Sequence, residues 1–332
     1  TYWKVNNDEY MKFNAIVGNP PYQVMDGGAS VSAKPVYNRF VEVSKLIKPK
    51  YMSMIMPSRW FAGGKGLDYF REMMLKDKHI KKLYDFETSD DIFPGVDIAG
   101  GVCYLLWDAT YNGKCSVTNT LNNRRYSMER DLDEFGVFIR RSQSAEILKK
   151  INSFKENNGK TLTERVSVRK PFGMATNYMP QNEGVPCQFI QKIGLKYANP
   201  KDVKDELNIL NKWKLLLPIT PIAGQTDFSK PVGFYYDGNV FIAKPGVCCT
   251  ESFIVACAFD TEMEVFSFKS YLFTKIVRFL LLQSVVSQHV TKQNFQFVPD
   301  LGEYKETFTD QKLRERWNIS DEEWATINDR IR

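Results

Sequence analysis

Asn19-Pro20-Pro21-Tyr22 lies in the stretch FNAIVGNPPYQV, and its residue types suit one kind of chemistry. Two consecutive prolines fix two φ angles and remove two backbone donors. Pro21 also biases Pro20 away from the helical region, so the Asn19 side-chain oxygen and the Pro20 carbonyl form a preset pair of acceptors. Two convergent acceptors fit a planar NH2 group. Tyr22 adds a flat aromatic face on which a heterocycle can stack. The alternative for these four residues is a rigid surface turn.

An exocyclic amine on adenine is such a group, and it is a weak nucleophile because its lone pair is delocalised into the ring. Acceptors engaging both hydrogens favour a pyramidal nitrogen whose lone pair points at an electrophilic methyl group, a form of electrostatic preorganisation. A base inside a duplex cannot reach the pocket, so it has to be extruded, and an aromatic face offsets part of the lost stacking.

A rigid turn of this kind needs a strand before it. FNAIVG reads as that strand, VYNRFVEVSKLI as an amphipathic helix, YMSMIMP as a second strand and LDYFREMMLK as a second helix. IKKLYDF, GGVCYLLWD and KCSVTNTL supply further strands, the last two joined by a turn with Asn112-Gly113, a favoured hairpin pair. Alternation of this kind predicts an α/β fold with helices on a mostly parallel sheet, doubly wound, whose ligands bind beyond the strands' carboxyl ends. FIRRSQSAEILKKINSF has helical periodicity and ends at the polar break NNGK, which sets a domain border near residue 150. Beyond it, CQFIQKI, KLLLPI, VGFYY, NVFIAK and ESFIVACAF read as short strands, followed by a helical run over 262–286, so the second half is expected to be α+β. Ser320 stands three residues before Glu323, the spacing of a capping box for a last helix.

Composition restricts the function classes. The 332 residues are 43% hydrophobic with a net charge of +6 spread along the chain, which fits a globular protein and mildly favours a polyanionic partner. Six cysteines form no C-x-x-C pair, and adjacent Cys248 and Cys249 cannot bridge without strain, so reduced thiols and a cytoplasmic setting are expected. Two histidines without partners at ligand spacing argue against a zinc site. In YLFTKIVRFLLLQSVV, Lys275 and Arg278 interrupt the apolar run, which reads as a core-facing helix rather than a membrane span.

NPPY resembles the motif of amino-methyltransferases that use S-adenosylmethionine. PVYNRFVEVSKLIKPKYMSMIMPSRWFAGGKG and DIFPGVDIAGGVCYLLWD resemble the segments downstream of that motif in adenine-specific (N6) DNA methyltransferases of bacterial restriction-modification systems, particularly the type IIG group, in which methylase and nuclease share a chain. KLLLPI, AKPGVCCTESFIVACAF and the segment from VRFLLLQSVV to ETFTD are similar to that family's DNA-recognition region. The resemblance implies that residues 1–150 are the later part of a Rossmann-like methyltransferase domain. It implies that residues 151–332 are a target-recognition domain with a C-terminal helical tail. It also implies that Asn19 and Pro20 accept from adenine N6, Tyr22 stacks on the flipped base and Phe93 packs against the base's other side or edge. The partner implied is double-stranded DNA, with a nuclease domain on the same longer chain.

The Gly-rich F-x-G-x-G loop that holds S-adenosylmethionine in such enzymes is expected well upstream of NPPY, where fewer than twenty residues precede Asn19. The chain is therefore expected to be a piece of a longer protein that alone binds the cofactor weakly or not at all. Phe93 is alternatively an ordinary core aromatic. In FAGGKG, Arg59 just upstream and Lys65 are candidates for phosphate contact, or the loop is a plain turn; Arg169, Lys170, Lys192, Lys196 and Lys292 either meet phosphate or solvate the surface. Asp300, Glu303 and Lys305 evoke a metal-nuclease triad, but their close spacing leaves no room for the usual strand hairpin. A DNA-binding specificity module without chemistry, and a protein-glutamine or RNA amino-methyltransferase, are the competing functions.

Overall fold

The computed structural model describes residues 13–24, 34–61, 66–98, 100–121, 124–190, 192–222, 225, 230–235, 237–285 and 289–332. Lys65 and the other residues of the 62–65 loop lie outside them, as do 25–33. The chain divides into two compact units, Thr1–Ser142 and Gln143–Arg332. The division falls just inside a helix, α3 (Ser142–Ser153), that runs through the border expected near residue 150.

The first unit is built on a six-stranded sheet. In chain order, β1 is Ala15–Gly18, β2 Gln23–Val24, β3 Lys34–Pro35, β4 Tyr51–Pro57, β5 Ile80–Phe86, β6 Val102–Asp108, β7 Cys115–Leu121 and β8 Arg124–Arg130. β2 and β3 form a separate two-residue ribbon, and the sheet order is β1-β4-β6-β5-β7-β8. β1 is parallel to β4 and β5 to β7, while β6 runs antiparallel between β4 and β5. So β1, β4, β5 and β7 share one direction in a mixed sheet.

This corrects the expected hairpin. The Asn112-Gly113 turn does not pair the strands it joins; it carries the chain across the start of β5, with Gly113 N donating to Lys78 O at 3.2 Å and Asp108 N to His79 O at 3.0 Å. A favourable turn sequence sets local geometry, whereas the neighbours of β6 are chosen by apolar faces on β4 and β5. Helices α1 (Tyr37–Leu46) and α2 (Asp68–Leu75) follow β1 and β4 as their periodicity predicts. In β4 alternate residues Met52, Met54 and Met56 point into the core, where they meet Tyr37 and Val41 of α1, Phe70 and Met74 of α2, and Leu83, Leu105 and Val117 of the neighbouring strands.

The second unit is α+β. β9 (Val185–Gln188), β10 (Leu195–Ala198) and β13 (Cys248–Cys249) make one small sheet; β11 (Trp213–Pro218), β12 (Phe241–Ala243) and β14 (Phe253–Phe259) make another. VGFYY does not form a strand over its described residues: only Val232 makes a bridge, to Ile331. The helical run is two helices, Glu262–Leu272 and Lys275–Leu282, because the Thr274 hydroxyl accepts from Val277 N and starts a new helix. Ile276, Val277 and Phe279 to Leu282 are buried, the core-facing placement read from the sequence. Ser320 caps Asp321–Asn328 with the expected box. All six cysteines are free and buried. Among the described residues no helix is long and apolar enough to cross a membrane.

Candidate active site

The four codirectional strands end at Gly18, Pro57, Phe86 and Leu121, and β6 begins beside them at Val102. One edge of the sheet therefore collects Asn19 to Tyr22, Ser58 to Phe61 and the loop 87–98. Ser58 N donates to Gly101 O at 3.0 Å and ties the Ser58–Phe61 turn to the residue that leads into β6. Gly101 has φ +76°, and a Cβ there would lie 2.0 Å from Phe86 O, so only glycine lets the chain turn into β6 this close to β5.

At the head of this edge Asn19 is exposed, Pro20 buried, Pro21 exposed and Tyr22 half-buried. Among the described residues the Asn19 amide has no hydrogen-bond partner, so its oxygen is available to an incoming donor. Tyr22 O accepts from Val36 N at 3.2 Å, and the β2–β3 ribbon follows directly, which anchors the turn to the start of α1. Among the described residues the Tyr22 and Tyr37 hydroxyls are both buried without a hydrogen-bond partner. Burial, and secondarily the nearby Cys103 thiol, raises the pKa of each. A buried hydroxyl without a partner forfeits its hydration, so Tyr37→Phe is expected to stabilise the first unit by about 1 kcal/mol. A higher denaturant midpoint is the expected reading, and a lower midpoint would reveal a partner for the hydroxyl.

Cys103, on β6, accepts from Trp60 Nε1 at 3.4 Å. Burial, then the negative charge of Asp85, pushes its thiol pKa up to about 12. Above the ordinary thiol value near 8.5 the unfolded chain releases this proton while the folded chain keeps it, so stability falls as pH rises. Denaturant titrations from pH 8.5 to 9.5 should show Cys103→Ala losing about 1 kcal/mol less stability than wild type over that interval.

Beneath the edge lies an ionic network that the sequence reading missed, in which buried carboxylates meet half-buried arginines. Asp85 is 0% exposed. It accepts from Ser58 Oγ at 2.8 Å, from Arg140 Nε at 2.7 Å and Nη2 at 2.8 Å, and from Asn119 Nδ2 at 3.4 Å. Asn119 Oδ1 in turn accepts from Ser142 N and Oγ, both at 3.0 Å, and Arg141 forks onto Glu87 at 2.5 and 2.6 Å. Burial opposes the Arg140 charge, and the carboxylates of Asp85 and Glu87 more than offset it, so its pKa rises. The ends of β4, β5 and β7 are thereby locked to the segment that opens α3. The available signal was Asp85 two positions after Leu83, on the core-facing side of an apolar strand, with Arg140-Arg141 as its distant counterpart.

Phe93 is half-buried on the loop after β5. The loop is pinned by Phe93 N to Ser89 O at 2.7 Å, Ser89 Oγ to Val96 O at 2.6 Å and Ile98 N to Ser89 Oγ at 2.8 Å. β1 and β5 stand three strand spacings apart, about 14 Å, and Tyr22 and Phe93 follow them on one edge of the sheet. Arg59 is exposed on the Ser58–Phe61 turn, close enough to the Tyr37 hydroxyl to act on it electrostatically. Arg169, Lys170 and Lys292 belong to the second unit, where Arg169 and Lys170 both pair with Glu251, the latter at 3.6 Å. Asp300 accepts from Arg165 Nε at 2.8 Å and Tyr304 Oη at 3.1 Å, which makes it an internal strut. No cluster of metal-ligating side chains occurs among the described residues.

Residues 1–93 match the family described as Eco57I restriction-modification methylase. A protein of Mycoplasma pneumoniae named an uncharacterized adenine-specific methylase is 34% identical over 148 residues, 41% of this chain and 35% of that protein. The chain thus matches only about a third of the length of that relative. Among solved structures, the type IIG restriction endonuclease BpuSI is similar over 95% of this chain and 51% of its own, with 12% identity and a TM-score of 0.41. The type IIL restriction-modification enzyme MmeI, solved with DNA, is similar over 87% and 45%, with 8% identity and a TM-score of 0.33. Residues 1–93, which hold Asn19 to Tyr22 and Phe93, are homologous to the Eco57I restriction-modification methylases, and 148 residues of the chain are homologous to part of a protein named an uncharacterized adenine-specific methylase.

Proposed function

We infer that the protein transfers a methyl group from S-adenosylmethionine to N6 of an adenine flipped out of double-stranded DNA, within a restriction-modification system. The observation that carries this reading is Asn19: an exposed carboxamide, unpartnered among the described residues and followed by a buried proline, at the carboxyl end of β1 in a segment that matches the Eco57I restriction-modification methylase family. S-adenosylmethionine would supply the methyl group, with Asn19 beside it; the other site residues act on the acceptor. The Asn19 Oδ1 and Pro20 carbonyl accept the two N6 hydrogens and draw the nitrogen toward a pyramidal form. Tyr22 presents its ring to the base, and an aromatic stack of this kind contributes about 1–3 kcal/mol. Phe93 closes the same pocket from the loop after β5, and Arg59 and Lys65 supply charge for the DNA phosphates.

The second unit serves as the target-recognition domain, with Arg169, Lys170 and Lys292 as phosphate contacts. Glu251 already neutralises part of the charge of the first two, so Lys292 contributes the most of the three. A nuclease domain on the same longer chain completes the restriction-modification reading.

The test is a transfer assay in which the full-length protein and tritiated S-adenosylmethionine meet duplex DNA, RNA and protein in parallel. Label is expected in N6-methyladenine of the duplex. Label in protein glutamine or RNA guanine would replace this reading with the corresponding amino-methyltransferase. Duplex binding without label in any acceptor would leave a specificity module.

A further inference from the structure

The least explained feature outside the sheet edge is the β9–β10 hairpin of the second unit, whose base is core and whose tip is bare. We propose that this tip, residue 190 with residues 192–197, enters the major groove of double-stranded DNA and is the element through which the second unit reads sequence. The proposal rests on the DNA reading above and names the part that makes the contact.

Cys187, Phe189 and Ala198 anchor the hairpin in the same core as Leu216, Phe253 and Val255. From there the side chains turn outward: Ile190 is 37% exposed, Ile193 38%, Leu195 59% and Tyr197 40%. Leu195, Lys196 and Tyr197 are consecutive and all exposed. Successive residues of a strand point to opposite faces, so both faces of β10 are open and the ribbon stands off the body. β10 is also the edge strand of its sheet.

The described residues of the tip are nonetheless held by backbone hydrogen bonds. Phe189 N donates to Gly194 O at 3.0 Å, Ile193 N and Gly194 N both donate to Ile190 O at 2.9 Å, and Gly194 adopts a left-handed φ of 74°. On the outer side Gln181 N donates to Tyr197 O at 2.9 Å. A pre-shaped ribbon needs no ordering on contact, and a two-stranded ribbon matches the width of the major groove.

Charge selects the partner. Residues 185–198 contain Lys192 and Lys196 and no Asp or Glu. Among the described residues neither lysine has a carboxylate partner, unlike Arg169 and Lys170, which share Glu251. Two unneutralised cations flanking Ile193 and Leu195 suit a polyanion that carries apolar groups between its charges. Phosphates flank thymine methyls in this way in a DNA groove.

The experiment measures binding of the full-length protein to a fluorescein-labelled random-sequence duplex across a salt series, together with methylation of plasmid DNA. Lys192→Gln with Lys196→Gln is expected to lower the slope of log K against log salt by about 1.8, two phosphate contacts at about 0.9 each. Ile193→Ser with Leu195→Ser should leave that slope in place and reduce plasmid methylation about tenfold, within the range for losing one base contact. These side chains are exposed, so matched thermal melts are expected for all variants. A wild-type protein that binds and methylates duplex DNA, with variants unchanged in slope and methylation, overturns the hairpin assignment and leaves the methyltransferase reading standing. A wild-type protein that does not bind duplex overturns both. Unchanged DNA binding with altered self-association in the apolar variant makes the tip a protein-docking element and overturns the proposal.

Discussion

Asp85→Ala is expected to destabilise the first unit by about 3 kcal/mol, the low end of the range for breaking a buried ion pair, because the Arg140 side chain left behind is 28% exposed. The size reflects the groups that the substitution leaves behind. Arg140 keeps its guanidinium over the Phe61 ring at 5.7 Å and its weak contact to Phe86 O at 3.4 Å, but loses both short bonds to the carboxylate. Ser58 Oγ and Asn119 Nδ2 lose their shared acceptor in the same step. A domain is typically stable by only about 5–15 kcal/mol, so the change consumes a large part of the margin. Chemical denaturation of the chain should show the transition of the first unit moved to low denaturant. Asp85→Leu combined with Arg140→Met is the discriminating control, because removing both charges together relieves the desolvation penalty. It is expected to recover most of the loss. A double variant as unstable as the single one would mean that Ser58 and Asn119, rather than the ion pair, hold the strand ends together.

How much of this was legible from sequence depended on the reach of each interaction. β4 and β5 coincide with YMSMIMP and IKKLYDF because alternation of buried methionines, or an apolar run ending in Asp-Phe, is a local property. The last helix was equally local, since Ser320 and Glu323 satisfy each other's backbone donors three residues apart. Strand neighbours were not: the insertion of β6 between β4 and β5 depends on three segments at once, and the Asn-Gly turn pointed to the wrong pairing. The same division runs through the site. Asn19 to Tyr22 could be recognised because two prolines impose their geometry on their own neighbours. Asp85 and Arg140 were missed because they are 55 residues apart and acquire their meaning only when β5 is docked against the start of α3. Arg169 and Lys170 looked free until Glu251, far along the chain, took up part of their charge.

Asn19→Ala should reduce methyl transfer by the full-length protein about 10²–10³-fold in kcat, equivalent to about 2.7–4 kcal/mol, the usual loss when one preorganised polar group at the reacting centre is removed. Stability should not change, because Asn19 is exposed and has no partner among the described residues to abandon. This separates it from Asp85→Ala, whose effect on transfer would come through unfolding. KM for DNA should move little, since a duplex is held mainly through its phosphates and base edges and the amine contact strengthens only as N6 becomes tetrahedral. Asn19→Asp supplies the control: a carboxylate still accepts two hydrogens but repels other acceptors at the edge and attracts protons. Its rate is expected to lie between wild type and Asn19→Ala and to fall further as the carboxylate is protonated below about pH 4. Rates equal to wild type in both variants would remove Asn19 from the chemistry and leave the diproline turn as scaffold. Loss of DNA binding in parallel with kcat would instead make Asn19 a contact of the ground state, with the acceleration arising elsewhere.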